Sequence, residues 1–363
     1  MSKSAASRTL VFAGGGTAGH VEPAIAVAHA WRQRYPNDRC IFLGTLTGLE
    51  SRLVPAAGFE LCNIEKVVMP RRADVELLKL PLGLFRSVKS AKQIIDGSDL
   101  LIGFGGYLSA SAYLAASIAG VPILVHEANA KAGWANRLGS CFTKNLAVAH
   151  PFSRGRFSRA TLTGLPLRAD VQAAFHRASR NWQQARNEAK TKLGWSLEGA
   201  ALLILGGSQG STYINSQIED ALPGLNKKGL QILHSVGSNN PVPTESQKYR
   251  AVPYISDMPT AYLAADVILA RSGAVTCAEI GALGRFAVFV PLPIGNGEQA
   301  RNAERLVTLG RAIVIPQKAF SSQWLLSNIE DLCRHSENQS ENGFDYDMQA
   351  ETKIVEIMER ILQ

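Results

Sequence analysis

The 363-residue chain is 46% hydrophobic, enough to supply two cores, and its length predicts about two domains. Lys and Arg outnumber Asp and Glu by 38 to 30, and the resulting charge of +8 suits a nucleic acid, an anionic membrane surface or a phosphorylated substrate. The five cysteines are scattered without a C-x-x-C pair, which excludes the common zinc and redox motifs and fits a reducing cytoplasm. The N-terminus lacks the pattern of a signal peptide, and no apolar run reaches the roughly 18 residues of a membrane span. We therefore expect a soluble or peripheral protein.

Short apolar runs alternate with segments of helical spacing in the first half of the chain. The runs predicted as strands are 9–13, 39–43, 100–103, 123–126 and 146–148. After the first strand, apolar residues recur about every 3.6 positions and predict a helix with one buried side. These residues are Val21, Ala24, Ile25, Val27, Ala28 and Trp31.

The second half repeats the alternation, with strands predicted over 201–205, 230–236, 251–254, 267–270, 287–291 and 312–315. Each half is therefore expected to form an α/β domain, a parallel sheet with helices on both faces. The Gly- and Pro-containing segment 163–167 marks the expected hinge. A final helix is predicted over 346–362.

A glycine-rich loop follows the first predicted strand of each half: GGGTAGH over 14–20 and GGSQG over 206–210. Such loops let backbone N–H groups approach an anion at the start of a helix, which predicts a cleft with a negatively charged ligand. The first loop has the G-x-G-x-x-G form of a dinucleotide site, but the second predicted strand ends without the acidic residue that would bind the ribose. Neither loop continues with Lys and then Ser or Thr, which argues against a P-loop nucleotide hydrolase.

Side chains that can take part in chemistry lie within and after these loops. Thr17 and His20 stand at the start of the first helix, where an imidazole can take a proton from a sugar hydroxyl; the alternative is a helix cap or a surface residue. In the second half, DVILARSGAVTCAE over 266–279 predicts a strand, a turn of small residues and a helix. The backbone amides of residues 273–276 would donate hydrogen bonds to a phosphate, and Glu279 would accept hydrogen bonds from a ribose diol. The alternative is a helix cap with an exposed Glu279. The loop over 291–302 adds amide side chains suited to sugar hydroxyls.

These motifs, in this order, resemble the MurG family of bacterial glycosyltransferases, which add N-acetylglucosamine to lipid I. The matching stretches are 15–20, 103–107 (GFGGY), 126–129 (HEAN), 163–168 (TGLPLR), 206–210 and 271–279, with Gln299 and Asn302. The resemblance spans nearly the whole chain and implies the GT-B fold, two Rossmann-like parallel-sheet domains facing across a cleft. It implies an acceptor and membrane-side domain over 1–165, a UDP-sugar donor domain over 166–345, and a C-terminal helix over 346–363 packed back onto the first domain.

Carried over by position, the resemblance implies a set of donor-binding residues. They are Thr17, Ala18, Gly19, Asn129, Arg168, Ser208, Ile255, Ala274, Val275, Thr276, Cys277, Ala278, Glu279 and Gln299. Ile255 would offer its backbone to uracil, and the cation of Arg168 suits a diphosphate. The sequence departs from the family pattern at Ala18, Ala128 and Glu298, where a Gly, a Gln, and a Gln or His are usual.

The resemblance also implies the reaction. The 4-hydroxyl of the N-acetylmuramoyl unit of undecaprenyl-pyrophosphoryl-MurNAc-pentapeptide (lipid I) attacks UDP-N-acetylglucosamine with inversion and gives lipid II for peptidoglycan synthesis. We expect His20 to be the catalytic base, with Glu127 as the competing candidate. No metal, cofactor or nucleic acid is implied. The Asp345-Tyr346-Asp347 sequence has the form of a metal-binding pair, but a helix cap is the preferred interpretation.

Leucines and Phe85 alternate with cations, among them Arg72, Lys79, Arg86 and Lys89, over residues 69–92. This segment fits either an anionic phospholipid surface or a helix packed on the core with a solvated basic side. The resemblance favours the membrane and implies a peripheral protein on the cytoplasmic face of the bacterial cell membrane, active in cell-wall biogenesis, cell shape and division, with other cell-wall or division proteins as further partners. The alternatives are another sugar-nucleotide enzyme, such as a UDP-N-acetylglucosamine 2-epimerase, and a nucleotide-sugar sensor or scaffold without turnover.

Overall fold

The computed structural model describes residues 7–65, 76–293, 296–337 and 343–363, except for the side chains of 76–80. It divides the chain into two compact units. The first consists of the residues up to Arg168 together with Asp347–Gln363, and the second of Ala169–Tyr346. The chain therefore leaves the first unit after Arg168 and returns to it at Asp347.

The first unit is built on a parallel sheet. Its strands are β1 (Thr9–Ala13), β2 (Arg39–Gly44), β3 (Glu60–Asn63), β4 (Leu100–Gly103), β5 (Ile123–Glu127), β6 (Leu146–Val148) and β7 (Thr161–Leu162). Its helices are α1 (Ala18–Arg34), α2 (Glu50–Ala56), α3 (Glu76–Ile95), α4 (Tyr107–Ala119), α5 (Trp134–Gly139) and, from the end of the chain, α14 (Ala350–Leu362). Within the described residues the strand order is β3-β2-β1-β4-β5-β6-β7, with every neighbouring pair parallel.

The central strands are apolar because helices cover both of their faces. In β1, Leu10 and Phe12 belong to one core cluster and Val11 and Ala13 to another. All five strands predicted here are confirmed, as are the buried positions predicted for α1. The strands β3 and β7 were not predicted. Both lie at edges of the sheet and are partly or wholly exposed, so neither forms an apolar run.

The second unit repeats the design. Its strands are β8 (Ala201–Leu205), β9 (Gln231–Ser235), β10 (Tyr249–Val252), β11 (Val267–Ala270), β12 (Phe286–Phe289) and β13 (Ala312–Val314). Its helices are α6 (Ala169–Arg180), α7 (Trp182–Lys192), α8 (Thr212–Lys227), α9 (Met258–Ala264), α10 (Ala274–Ala282), α11 (Glu298–Asn302), α12 (Glu304–Thr308) and α13 (Ser322–Glu337). The order of the parallel strands is β10-β9-β8-β11-β12-β13. All six predicted strands are confirmed, although β10 begins two residues earlier than predicted.

The last helix packs on the first unit. Ile354 and Met358 of α14 are buried in the same core cluster as Trp31 of α1. Glu359 binds both the hydroxyl of Tyr35, at 2.6 Å, and Arg34, at 2.8 Å. Among the described helices, none combines the length and the apolar character needed to cross a bilayer.

The predicted start of this helix is wrong. Residues 346–349 form a turn, so α14 begins at Ala350 rather than at Tyr346. Asp347 does not cap the helix either, because its Oδ1 accepts the backbone N–H of Leu165 at 2.7 Å. The side chain instead links the two points at which the chain leaves and re-enters the first unit.

Candidate active site

The strand order of the first unit reverses direction between β1 and β4. In open parallel sheets, ligands bind at such a point, in the crevice outside the carboxyl ends of the strands. The loop over 14–17 follows β1, and the loop over 104–106 follows β4. The predicted Thr17 and His20 therefore lie at the switch point of this sheet.

The first glycine loop already holds an anion, the carboxylate of Glu50. This side chain is fully buried, and its Oε2 accepts the N–H of Gly16 at 3.1 Å. Its Oε1 accepts the N–H and the hydroxyl of Thr45, at 3.1 and 2.9 Å. A Cβ on Gly48 would lie 2.0 Å from Oε1, so only glycine leaves room for the carboxylate there. The protein's own carboxylate thus takes the amide that would face a phosphate in a dinucleotide site.

The imidazole of His20 lies against both switch-point loops. Its Nδ1 is 3.1 Å from the carbonyl oxygen of Gly15 and 3.2 Å from Oγ1 of Thr17. Because a carbonyl oxygen only accepts, Nδ1 carries the proton and Nε2 keeps its lone pair. In the loop after β4, Gly105 and Gly106 have φ of +95° and +83°, and a Cβ on either would lie within 3.4 Å of an atom of the imidazole.

Burial lowers the pKa of His20 below the ordinary histidine value. The hydrogen bond to Gly15 and the charges of Glu127 and Glu50 act in the opposite direction but are outweighed. The imidazole is therefore neutral at neutral pH, with Nε2 able to accept a proton. These are the two properties that a general base needs.

Glu127, the competing base, is engaged elsewhere. It ends β5 and is only 2% exposed. Its Oε1 accepts the N–H and the side-chain amide of Asn129, at 2.9 and 3.0 Å. Its Oε2 accepts the N–H of Gly133 at 2.9 Å and the side-chain amide of Asn136 at 3.0 Å. Both oxygens thus hold the loop after β5, whereas Nε2 of His20 makes no hydrogen bond to the described residues.

The other first-unit residues expected to bind the donor are placed as follows. Thr17 is the exposed N-cap of α1, and Ala18 and Gly19 form the half-buried first turn. Asn129 lies in the loop held by Glu127, at the same carboxyl edge of the sheet. Arg168 is half-buried and is the last residue before the chain enters the second unit.

In the second unit, the strand order reverses between β8 and β11, and the second glycine loop lies at that point. Gly210 has φ of +76°, and a Cβ on it would lie 1.9 Å from the carbonyl oxygen of Val236. Ser211 caps α8 by accepting the N–H of Ile214 at 3.3 Å. Ser208 is half-buried in the loop, beside the positive end of this helix.

Arg271 ties this loop to its neighbours. One guanidinium nitrogen donates to the hydroxyl of Ser211 at 2.9 Å and to the side chain of Gln317 at 2.7 Å. Another donates to the carbonyl oxygens of Val290 and Pro291, at 2.9 and 3.1 Å. Burial lowers the pKa of the Arg271 guanidinium, but an arginine stays charged at neutral pH. It therefore joins the loops beyond β8, β12 and β13 and supplies a positive charge at this edge.

The helix α10 begins directly after the turn that follows Arg271, with Gly273 as its N-cap. Ala274, Val275, Thr276 and Ala278 are half-buried. Cys277 faces the core, and burial raises the pKa of its thiol, so only its backbone can contact a ligand at the helix start. Glu279 is 4% exposed, and its Oε2 accepts the hydroxyl of Tyr262 at 2.9 Å.

The remaining expected donor contacts lie beyond the ends of other strands at this edge. Ile255 is buried in the loop after β10. Gln299 lies in α11 after β12, and its side-chain oxygen accepts the N–H of Leu292 at 3.0 Å. The structure thus brings the predicted residues of each half to the carboxyl edge of its own sheet. Within the described residues, no group of three or more His, Cys, Asp or Glu is placed to hold a metal ion.

Three residues that organise these sites were missed from the sequence: Glu50, Asn136 and Tyr262. A dinucleotide site would have an acidic residue at the end of β2. Glu50 lies a few residues beyond that end, and its side chain returns to it by accepting the N–H of Thr45. The paired glycines at 44 and 48 were the available signal, since a Cβ on either would collide with this side chain. Asn136 and Tyr262 carried no sequence signal, because their partners Glu127 and Glu279 lie on other elements and meet them only in the folded unit.

Two parallel-sheet units, each with a glycine loop at its switch point, form the architecture of GT-B glycosyltransferases. The sequence matches the glycosyltransferase family 28 N-terminal domain over residues 10–148 and the C-terminal domain of the same family over 201–361. The solved structure of Acinetobacter baumannii MurG is similar to the whole chain, with a TM-score of 0.69, 26% identity and coverage of 98% of this chain and 99% of that one.

Closer relatives in sequence carry a more specific name. The UDP-N-acetylglucosamine–N-acetylmuramyl-(pentapeptide) pyrophosphoryl-undecaprenol N-acetylglucosamine transferase of Paenarthrobacter aurescens (strain TC1) is 44% identical over 88% of this chain and 86% of its own length. The protein of the same name from Streptomyces coelicolor is also 44% identical, over 88% of both chains. This chain belongs to that family of transferases, and it is a glycosyltransferase rather than an epimerase or a sensor without turnover.

Proposed function

We propose that the protein transfers N-acetylglucosamine from UDP-N-acetylglucosamine to the 4-hydroxyl of the N-acetylmuramoyl unit of lipid I and so forms lipid II for peptidoglycan synthesis. The observation that carries this function is the 44% identity to transferases of that name over 88% of the chain. The fold supports it, because each unit offers a binding crevice at the carboxyl edge of its sheet.

The donor belongs in the second unit. Its diphosphate would accept hydrogen bonds from Ser208 and from the amides at the start of α10, which lie at the positive ends of two helices. Glu279, held by Tyr262, would accept the ribose hydroxyls. Ile255 and Gln299 would contact the uracil and the sugar, as their positions at the same edge allow.

The reaction is a single displacement. The 4-hydroxyl oxygen of the acceptor bonds to the anomeric carbon while the bond from that carbon to the UDP oxygen breaks, which inverts the configuration. The hydroxyl proton passes to Nε2 of His20, the ring nitrogen whose lone pair the Gly15 contact leaves exposed. The charge that develops on UDP would be stabilised by the start of α10 and by Arg168.

The helix α3 supports a peripheral location at an anionic membrane surface. Leu82 and Phe85 are 54% and 65% exposed. Arg86 and Lys89 are also exposed and share the same side of the helix by their spacing. The opposite side is anchored in the core, where Ser87 donates a hydrogen bond to Ser111 of α4 at 2.9 Å. Apolar groups flanked by cations suit the boundary of an anionic leaflet, here the cytoplasmic face of the cell membrane. Arg72 and the side chain of Lys79, also predicted to take part, lie outside the described residues.

A product assay tests the function. The full-length protein is incubated with labelled UDP-N-acetylglucosamine and a lipid I analogue, with and without a chelator, and the products are separated. We expect a labelled β-1,4-linked disaccharide on the lipid carrier, formed only when both substrates are present. Release of a 2-epimer of the donor without transfer, or no product at any acceptor concentration, would contradict the proposal.

A further inference from the structure

A cavity lies in the first unit, away from the switch point. Its volume is about 430 Å³, and its walls come from residues that precede or begin β5, β6 and β7 and from the last turns of α14. The loops around His20 and Glu127 follow the carboxyl ends of the strands. The cavity is therefore at the opposite edge of the same sheet, and the transfer reaction leaves it without a role.

Three cations line this cavity: Lys144, Arg159 and Arg360. All three are exposed, and no acidic residue is part of the lining. Among the described residues, none of the three takes part in an ion pair, whereas the exposed Arg39 of β2 in the same unit pairs with Glu60 at 2.7 Å. Like charges gathered around one cavity repel one another, and a bound anion would reverse that cost.

The rest of the lining gives the cavity an apolar wall. Ile357 and Leu146 are buried, and Ile361 is half-buried. The residue before Arg360 is Glu359, which binds Tyr35 and Arg34 and so fixes the last turns of α14. Arg360 therefore projects from an anchored turn, which lowers the entropic cost of binding a ligand with it.

We propose that this cavity binds a phosphate ester, with the phosphate among the three cations and the organic part against the two isoleucines. The volume is at the lower end of the range of small-ligand pockets, about 300–1,000 Å³, which suits a compact ester. Guanidinium groups match phosphate oxygens with two parallel hydrogen bonds, and two of the three cations are arginines. The ester is either a small soluble molecule or the headgroup of an anionic phospholipid.

Calorimetric titration of the full-length protein with sn-glycerol 3-phosphate tests the soluble source. Saturating UDP is present throughout, so that the donor site is filled. We expect the double variant Arg159→Gln, Arg360→Gln to bind at least about tenfold more weakly, because it loses charge-assisted hydrogen bonds. The matched control is Lys227→Gln, Arg250→Gln, which removes two exposed cations from the second unit and should bind like the wild type. Lys144→Gln is a second cavity variant in case the double variant unfolds.

Vesicle binding tests the lipid source. Phosphatidylglycerol vesicles are compared with phosphatidylcholine vesicles, using protein that carries Arg86→Glu and Lys89→Glu so that α3 does not contribute. If the protein binds the soluble ester and the cavity variants bind it more weakly, the ligand is a free molecule. If only vesicle binding is seen and the cavity variants weaken it, the ligand is a lipid headgroup. Absence of binding in both arms, or equal binding by wild type and cavity variants, overturns the proposal. The cavity variants should still transfer N-acetylglucosamine at saturating substrates. A failure of the cavity proposal can therefore be distinguished from a failure of the proposed function.

Discussion

The buried carboxylate of Glu50 gives a quantitative test of how the first loop is held in place. Glu50→Gln keeps the size of the side chain but leaves one acceptor oxygen. If that oxygen keeps its hydrogen bonds with Thr45, the new amide NH₂ faces the N–H of Gly16. Two N–H donors then point at each other in place of the 3.1 Å hydrogen bond of the wild type. In the reversed orientation, both donors of Thr45 would lose their acceptor, which costs more.

The lost hydrogen bond is made to a charged group and is worth about 1.5–3 kcal/mol. Gly16 is only half-buried, and water can partly replace the acceptor, so we expect the free energy of unfolding to fall by about 1–2 kcal/mol. For a unit of this size, that change corresponds to a decrease in Tm of about 2–8 °C. Because Gly15 and Thr17, which contact His20, flank Gly16, turnover should fall by about 10- to 100-fold as the base moves out of position.

Thermal and urea unfolding followed by circular dichroism, together with the product assay, measure both effects. Glu60→Gln is the matched control, since this residue pairs with Arg39 at the surface and should change stability by less than about 1 kcal/mol. If Glu50→Gln unfolded like Glu60→Gln and turned over substrate at the wild-type rate, the role given to the buried carboxylate would be wrong.

Two further predictions concern the base and the membrane. His20→Ala should lower turnover at saturating substrates by about 10²- to 10⁴-fold. Because its lowered pKa keeps His20 neutral above the ordinary histidine value of about 6.5, wild-type turnover should decline only below that pH. If the residual turnover of His20→Ala showed the same decline at low pH, the decline would belong to another group. Arg86→Glu with Lys89→Glu should weaken the binding of the protein to phosphatidylglycerol vesicles while it still uses a water-soluble acceptor analogue. The same reversal at Lys227 and Arg250 should leave vesicle binding intact, and equal retention of both variants would refute a role for α3.

The strands of both units could be predicted because burial on both faces makes them continuous apolar runs. Residues 201–205, Ala-Leu-Leu-Ile-Leu, illustrate this, since each is buried in β8. The glycine loops could be predicted as well, because Gly210 has a positive φ and approaches the backbone of Val236 too closely for any Cβ. In both cases a local physical requirement restricts the residue type.

The partners that hold the site in place could not be predicted in the same way. Tyr262 reaches Glu279 from another helix, and Asn136 reaches Glu127 from α5, so each pair forms only in the folded unit. The edge strands β3 and β7 were not predicted, because a strand at an exposed edge does not need a run of apolar residues. The role expected for Asp347 was wrong for a related reason, since its partner Leu165 is 182 residues earlier in the chain.

The packing of α14 on α1 has a consequence for biosynthesis. Ile354, Val355, Ile357 and Met358 complete the core beneath α1, yet they leave the ribosome after the whole of the second unit. Domains usually fold in the order in which they are synthesised. Here the unit that starts first is finished last, and the part of the core that α14 covers stays exposed while residues 169–346 are translated. A nascent chain stalled in that interval should be a preferred client for chaperones that recognise exposed apolar helices.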